Sequence, residues 1–135
     1  MAFTHHRADA ILTEILDTGT PFVWLHTGNP GPAGTNNIAQ NNESDIVRKS
    51  VSFGSIENHP DNEERRCLND AEITWSSAEI DPEQEITHAS VWNDETVGEA
   101  EFITELIEPK TTATFGAAIA VDSLEVAIAV FAKPV

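Results

Sequence analysis

Residues Leu124–Phe131 (LEVAIAVF) alternate without a break: Leu124, Val126, Ile128 and Val130 fall on one face, Glu125, Ala127, Ala129 and Phe131 on the other. A period of two over eight residues is the signature of a half-buried strand and is incompatible with an amphipathic helix. Shorter β-prone runs precede it: Pro21–Thr27 (PFVWLHT), Val47–Phe53 (VRKSVSF), Ala71–Trp75 (AEITW), Lys110–Phe115 and Ala117–Val121. Glu85–Asn93 and Glu99–Leu106 flank a short Asp/Glu/Gly-containing connection and predict a hairpin. Only Arg7–Asp17 reads as helix, with Ala8, Ile11, Leu12, Ile15 and Leu16 at helical spacing and Gly19 as its stop signal.

Seven or eight short strands separated by turn signals predict an all-β chain, an antiparallel β-sandwich of jelly-roll-like kind with one short N-terminal helix. At 135 residues the chain has the length of one domain and can bury a core without staples. We therefore expect residues 1–19 to form an N-terminal segment and helix, and residues 20–135 a single sandwich domain. Its predicted core includes Trp24, Trp92, Phe102, Val126 and Ile128. Two long stretches, Gly28–Ile46 and Gly54–Asp70, read as loops, where contacts with partners are to be sought.

Charge narrows the functional classes. Seven Lys and Arg face 23 Asp and Glu, a formal net charge of −16. That deficit works against phosphate neutralisation, so no nucleic-acid partner is expected, and equally against docking on anionic lipid. No apolar run approaches the roughly 20 residues that span a bilayer, and the N-terminus lacks a secretory profile, so no membrane partner is expected. The acids are dispersed rather than gathered in a tail. Dispersed carboxylates repel one another unless salt screens them, which gives this surface a halophilic character.

Candidate chemistry is sparse. The five histidines, His5, His6, His26, His59 and His88, show no zinc-protease spacing, so no metal or cofactor is expected; His26 and His88 read as hydrogen-bonded structural residues in strands. Close carboxylate pairs such as Asp81 with Glu83 follow from abundance alone. Asn93-Asp94-Glu95 reads as turn chemistry, and Cys67 as a small buried residue. GNPGPAG has prolines where a phosphate loop needs N–H donors. Asn42-Glu43-Ser44 is a three-residue glycosylation sequon in an exposed stretch. No catalytic residue is assigned.

A resemblance joins the separate runs. WLHTGNPGPAGTNN (24–37) resembles the "ALHT-x-DPG-x-x-G-x-N/E" pattern of small tailed-virus proteins known as phage tail-fibre, minor structural or head-decoration proteins, with Asn29 in place of the usual acid. Arg48–Phe53 (RKSVSF) is similar to their Arg-led strand, Asn69–Trp75 (NDAEITW) to their Asn-to-Trp segment, and Thr87–Asp94 (THASVWND) to "THxGLWD", with Ser90 replacing a common glycine. Leu106–Thr112 (LIEPKTT) and Leu124–Phe131 complete the order of motifs, while Glu57–Arg66 is a longer charged stretch than usual. The resemblance implies a short helix, a non-enzymatic virion protein, and partners that are other capsid or tail proteins. With the acidic composition it suggests a tailed virus of haloarchaea, its protein assembled in the host cytoplasm.

Two functional classes follow. The first is a structural virion subunit, at the capsid surface as decoration or turret/spike base, or in a tail fibre or tail tip. It would be held as a homo-oligomer through a polar contact that includes Asn36, Asn37, Asn41, Asn42, His59 and Arg65. The second is a non-viral carbohydrate- or protein-binding β-sandwich module, which would present an aromatic platform. The three tryptophans lie in strands and read mainly as core.

Overall fold

A computed structural model describes residues 3–17, 20–60, 64–111, 119–121 and 127–133. Its one helix, α1 (His5–Asp17), follows β1 (Phe3–Thr4) directly. The Thr4 hydroxyl accepts the Arg7 amide at 3.2 Å, which caps the first turn and starts the helix two residues before the apolar spacing does. Ala8 and Leu12, one turn apart, are fully buried, as their spacing requires.

Two four-stranded sheets form the sandwich. One runs β10 (Ala100–Thr111), β9 (Glu85–Trp92), β2 (Phe22–His26), β5 (Lys49–Ser50), all antiparallel. The other runs β1, β12 (Ala127–Lys133), β7 (Glu64–Leu68), β6 (Glu57–Asn58). Its β1–β12 pair is parallel, Phe3 opposite Ala132, and is the one departure from antiparallel pairing among the described strands. Two small ribbons complete the fold, β3 (Gln40–Asn41) with β4 (Ser44–Asp45), and β8 (Ile73–Trp75) with β11 (Ile119–Val121).

The core lies where the sheets and helix meet. Val23 and Leu25 of β2, Ala89 and Val91 of β9, Cys67 of β7 and Leu12 of α1 are all fully buried in one apolar cluster with Trp75, Ile80 and Ile86. Among the predicted core residues, Trp92 is buried and Trp24 and Phe102 pack half-buried against the cluster. Ile128 pairs through its backbone with Cys67; Val126 and Gly19 lie outside the described residues.

The expected hairpin is present, β9 against β10, with register shifts between Ala100 and Phe102 and between Glu105 and Lys110. β10 is longer than expected and runs on through Pro109. That is permitted because Pro109 falls in the irregularity between Glu105 and Lys110 of an edge strand, where no pair with β9 is made. The stretch Gly54–Asp70, expected as a loop, instead contributes β6 and β7. Its charges hid the strand: Arg65 pairs with Asp9 on α1 and Arg66 with Glu57 on β6, so charged side chains are satisfied across elements while the adjacent Cys67 and Leu68 are buried. The other long stretch, Gly28–Ile46, is a loop followed by the β3–β4 ribbon.

Candidate functional site

Strand alternation gives β2 and β9 two different faces. Val23, Leu25, Ala89 and Val91 enter the apolar core, and Trp24, His26, Ser90 and Trp92 share the opposite face, with Trp24 registered against Ser90 and His26 against His88. That second face is aromatic and polar, and nearly all of it is covered. His26 and Ser90 are fully buried and Trp92 is 4% exposed.

A chain of hydrogen bonds runs across it. The Asn36 carbonyl, 2.7 Å from His26 Nδ1, can only accept, so Nδ1 carries the proton and Nε2 is left as an acceptor. The Ser90 hydroxyl therefore donates to Nε2 at 2.7 Å, and it accepts the Trp92 indole N–H, also at 2.7 Å. The two ring nitrogens and the indole N–H have one partner each, the hydroxyl has two, and each role is compatible with the next. Burial and the neighbouring His88 hold the His26 imidazole below its ordinary pKa, against the opposing pull of the Asn36 carbonyl and Asp45, so the ring is neutral at pH 7. A serine hydroxyl on a histidine nitrogen is also the contact of a nucleophile with its base. Here the pair is sealed beneath the loop 28–37, and the hydroxyl's other position is taken by Trp92. Its chemistry is to hold that loop down.

Gly34 shows how closely the loop lies. It has φ +72°, and a Cβ there would stand 2.8 Å from the Ala100 side chain and 3.3 Å from the Trp92 ring. Both the conformation and the space require glycine.

On the other side of Trp92 sits Arg48, 8% exposed. Its guanidinium carbon lies 3.7 Å from the Trp92 ring centre and 4.4 Å from that of Trp24, and the two indoles meet edge to face at 5.5 Å. Nη1 donates to the carbonyls of Asp94 (2.9 Å) and Val97 (2.7 Å) in the β9–β10 connection. The connection is itself a turn built on side chains: Asp94 accepts the amides of Thr96 and Val97, which lower its pKa, and Asn93 accepts that of Glu99. Trp24 and Trp75 fix the segment carrying Arg48 by donating to the carbonyls of Ile46 (2.6 Å) and Val47 (2.8 Å). A cleft of about 260 Å³ opens beside this stack, bordered by Trp24, Asp45, Val47, Arg48, Glu95 and Thr96.

This order of features, a tryptophan–histidine strand, a glycine-bearing loop sealed onto it and an arginine wedged between indoles, spans most of the sequence, and so does the family match. A family model described as podophage GP4 fiber I protein gp80 matches residues 8–127. The chain belongs to this fibre-protein family. No curated protein matches the chain. Membership in the podophage fibre family makes the chain a structural component of a virus particle, where its partners are other virion proteins.

The residues expected to form a partner contact are spread over several elements. Asn36 and Asn37 are exposed in the loop 28–37, Asn37 at φ 55° and donating to the Asn29 carbonyl at 3.0 Å. Asn41 and Asn42 belong to the β3–β4 ribbon; Asn41 donates to the Ala78 carbonyl at 3.0 Å, and the Asn42 amide donates to the Asp81 carboxylate. Arg65 holds both oxygens of Asp9 at 2.7 and 2.9 Å and also reaches Asn58, tying β7 to α1. His59 is half-buried, its backbone amide bonded to the Glu64 carbonyl. Sequence reasoning missed the place of Arg48 altogether. Its only signal was its position at the head of the "Arg-led strand" of the resembled pattern.

Proposed function

We propose that this podophage fibre-family chain is a tail-fibre or tail-tip subunit, fixed in the particle as a homo-oligomer through protein–protein contacts and performing no catalysis. The family match over residues 8–127 carries the reading and favours it over both a capsid decoration or turret and a cellular binding module. The surface offers material for such contacts. β10 is an edge strand whose outward positions alternate Glu101, Ile103, Glu105 and Ile107, with Ile103 39% and Ile107 53% exposed. Among the described residues no strand pairs with the outer edge of β10, and such an edge with apolar side chains is a template for pairing with another chain. The exposed amides of Asn36, Asn37 and Asn42 suit a wet contact that salt does not screen. The acidic composition supports a haloarchaeal tailed virus as the source and assembly in the cytoplasm of its host.

Antibody labelling of intact particles in the electron microscope tests the placement. Label along the tail is expected, and label confined to the capsid surface refutes it. An Ile107→Asp subunit that folds normally yet is missing from otherwise intact particles would assign the contact to β10; full occupancy would exclude that edge.

A further inference from the structure

The cleft beside Trp24 carries an unusual set of groups. Arg48 lies in its wall almost wholly buried; the Asp94 carboxylate acts on it from beyond ion-pairing distance, and among the described residues no carboxylate forms an ion pair with it. A buried charge is ordinarily paired. The two backbone carbonyls and two indole faces stabilise this one, but both carbonyls are held by the same nitrogen, Nη1. None of its guanidinium nitrogens is both buried and unpartnered, so those without a protein acceptor reach solvent. Two carboxylates, Asp45 and Glu95, stand exposed on the rim with the hydroxyl-bearing Thr96, and Val47, 55% exposed, adds an apolar shoulder.

Charge selects the ligand. A carboxylate or phosphate entering toward Arg48 meets Asp45 and Glu95. An ammonium attracted by those acids meets the guanidinium. A neutral ring bearing several hydroxyls conflicts with neither, because each hydroxyl both accepts, from Arg48 or Thr96, and donates, to Asp45 or Glu95. Its C–H face matches the indole and the valine. At about 260 Å³ the cleft falls just below the range of roughly 300–1,000 Å³ usual for drug-sized ligands, so it takes one ring. The rim is open where Asp45, Val47, Glu95 and Thr96 are exposed, which lets a ring enter while linked to its neighbours.

We infer that this cleft, formed by Trp24, Asp45, Arg48, Glu95 and Thr96, binds a single neutral pyranose unit of a glycan. The site stands on its own geometry and is independent of where the subunit sits in the particle.

Calorimetric titration of the full chain in molar KCl tests it, with the methyl glycosides of glucose, galactose, mannose and N-acetylglucosamine, their free sugars, and glucuronate and glucosamine as charged counterparts. At least one methyl glycoside is expected to bind saturably with a Kd of about 1 mM or below. Glu95→Gln and Thr96→Val, both exposed and away from the core, are expected to weaken it by about fivefold to tenfold each, the value of one hydrogen bond, with the near-ultraviolet spectrum unchanged. No saturable binding of any of the four glycosides up to about 50 mM overturns the site. So does unchanged affinity in both variants, or tighter binding of glucuronate or glucosamine than of every neutral sugar. Binding of free sugars without their methyl glycosides overturns the glycan source.

Discussion

Ser90 is the position where the sealed face can be tested by removing one atom. Ser90→Ala deletes the hydroxyl that accepts from Trp92 and donates to His26, and leaves both partners in place. Trp92 is 4% exposed and His26 fully buried, so water does not readily replace the lost oxygen. Each orphaned buried group costs about 1–3 kcal/mol, and with partial relaxation the pair is expected to cost about 2–4 kcal/mol. At a urea dependence of about 1–3 kcal/mol per molar, the unfolding midpoint then falls by roughly 1–2 M. Tryptophan fluorescence during urea unfolding in molar KCl reads this directly, because Trp92 lies in the network. Ser77→Ala, at an exposed serine, is the control and should stay within about 0.5 kcal/mol. A Ser90→Ala loss below about 0.5 kcal/mol with an unchanged urea slope would refute the claim that the hydroxyl bridges two buried groups. Glycine, the residue of the resembled pattern at this place, should cost at least as much, since it adds strand flexibility to the lost oxygen.

Other expectations are as direct. Because the folded His26 pKa lies below its ordinary 6.5, stability is complete above about pH 6.5 and falls as pH drops toward the folded value; a His26→Gln variant should flatten that part of a pH–stability profile measured by thermal melting. Burial raises the Cys67 thiol to about 11, so a thiol reagent at pH 8 should label the native protein negligibly and the urea-unfolded protein fully. Arg65→Ala should destabilise by about 1 kcal/mol, and a double-mutant cycle with Asp9→Ala should return most of that as coupling, since the pair is partly solvated. Melting temperature should rise from low salt to molar KCl as screening relieves 23 carboxylates against seven basic residues; a flat or falling curve argues for an ordinary acidic protein.

Helix α1 and the β9–β10 hairpin were legible because each is built from local apolar spacing, which a window of about ten residues contains. β7 was not, since Glu64, Arg65 and Arg66 read as solvated charge until α1 and β6 are seen supplying Asp9 and Glu57. The turn at Asn93–Glu95 and a structural His26 followed from residue type. The partners of His26 did not, because Asn36 is ten residues away and Ser90 sixty-four. Arg48 illustrates the limit most clearly. Between Val47 and Lys49 it looks like any surface arginine, and only the pairing of β2 with β9 brings two indoles to its faces.

The parallel pairing of Phe3–Thr4 with Ala132–Lys133 has a consequence in time. β12 lies between β1 and β7, and α1 rests against it as well, so β1 and α1 share a neighbour that is made more than a hundred residues after them. At about 5–20 residues per second, the interval between completing α1 and completing β12 is roughly 6–25 s. Throughout it the helix awaits this partner, joined once residue 68 has been made by the strand-pairing edge of β7. Folding of this sheet therefore waits until β12 has been made. A chain halted short of residue 127 would present, in place of one closed sheet, two surfaces open to association with other nascent copies.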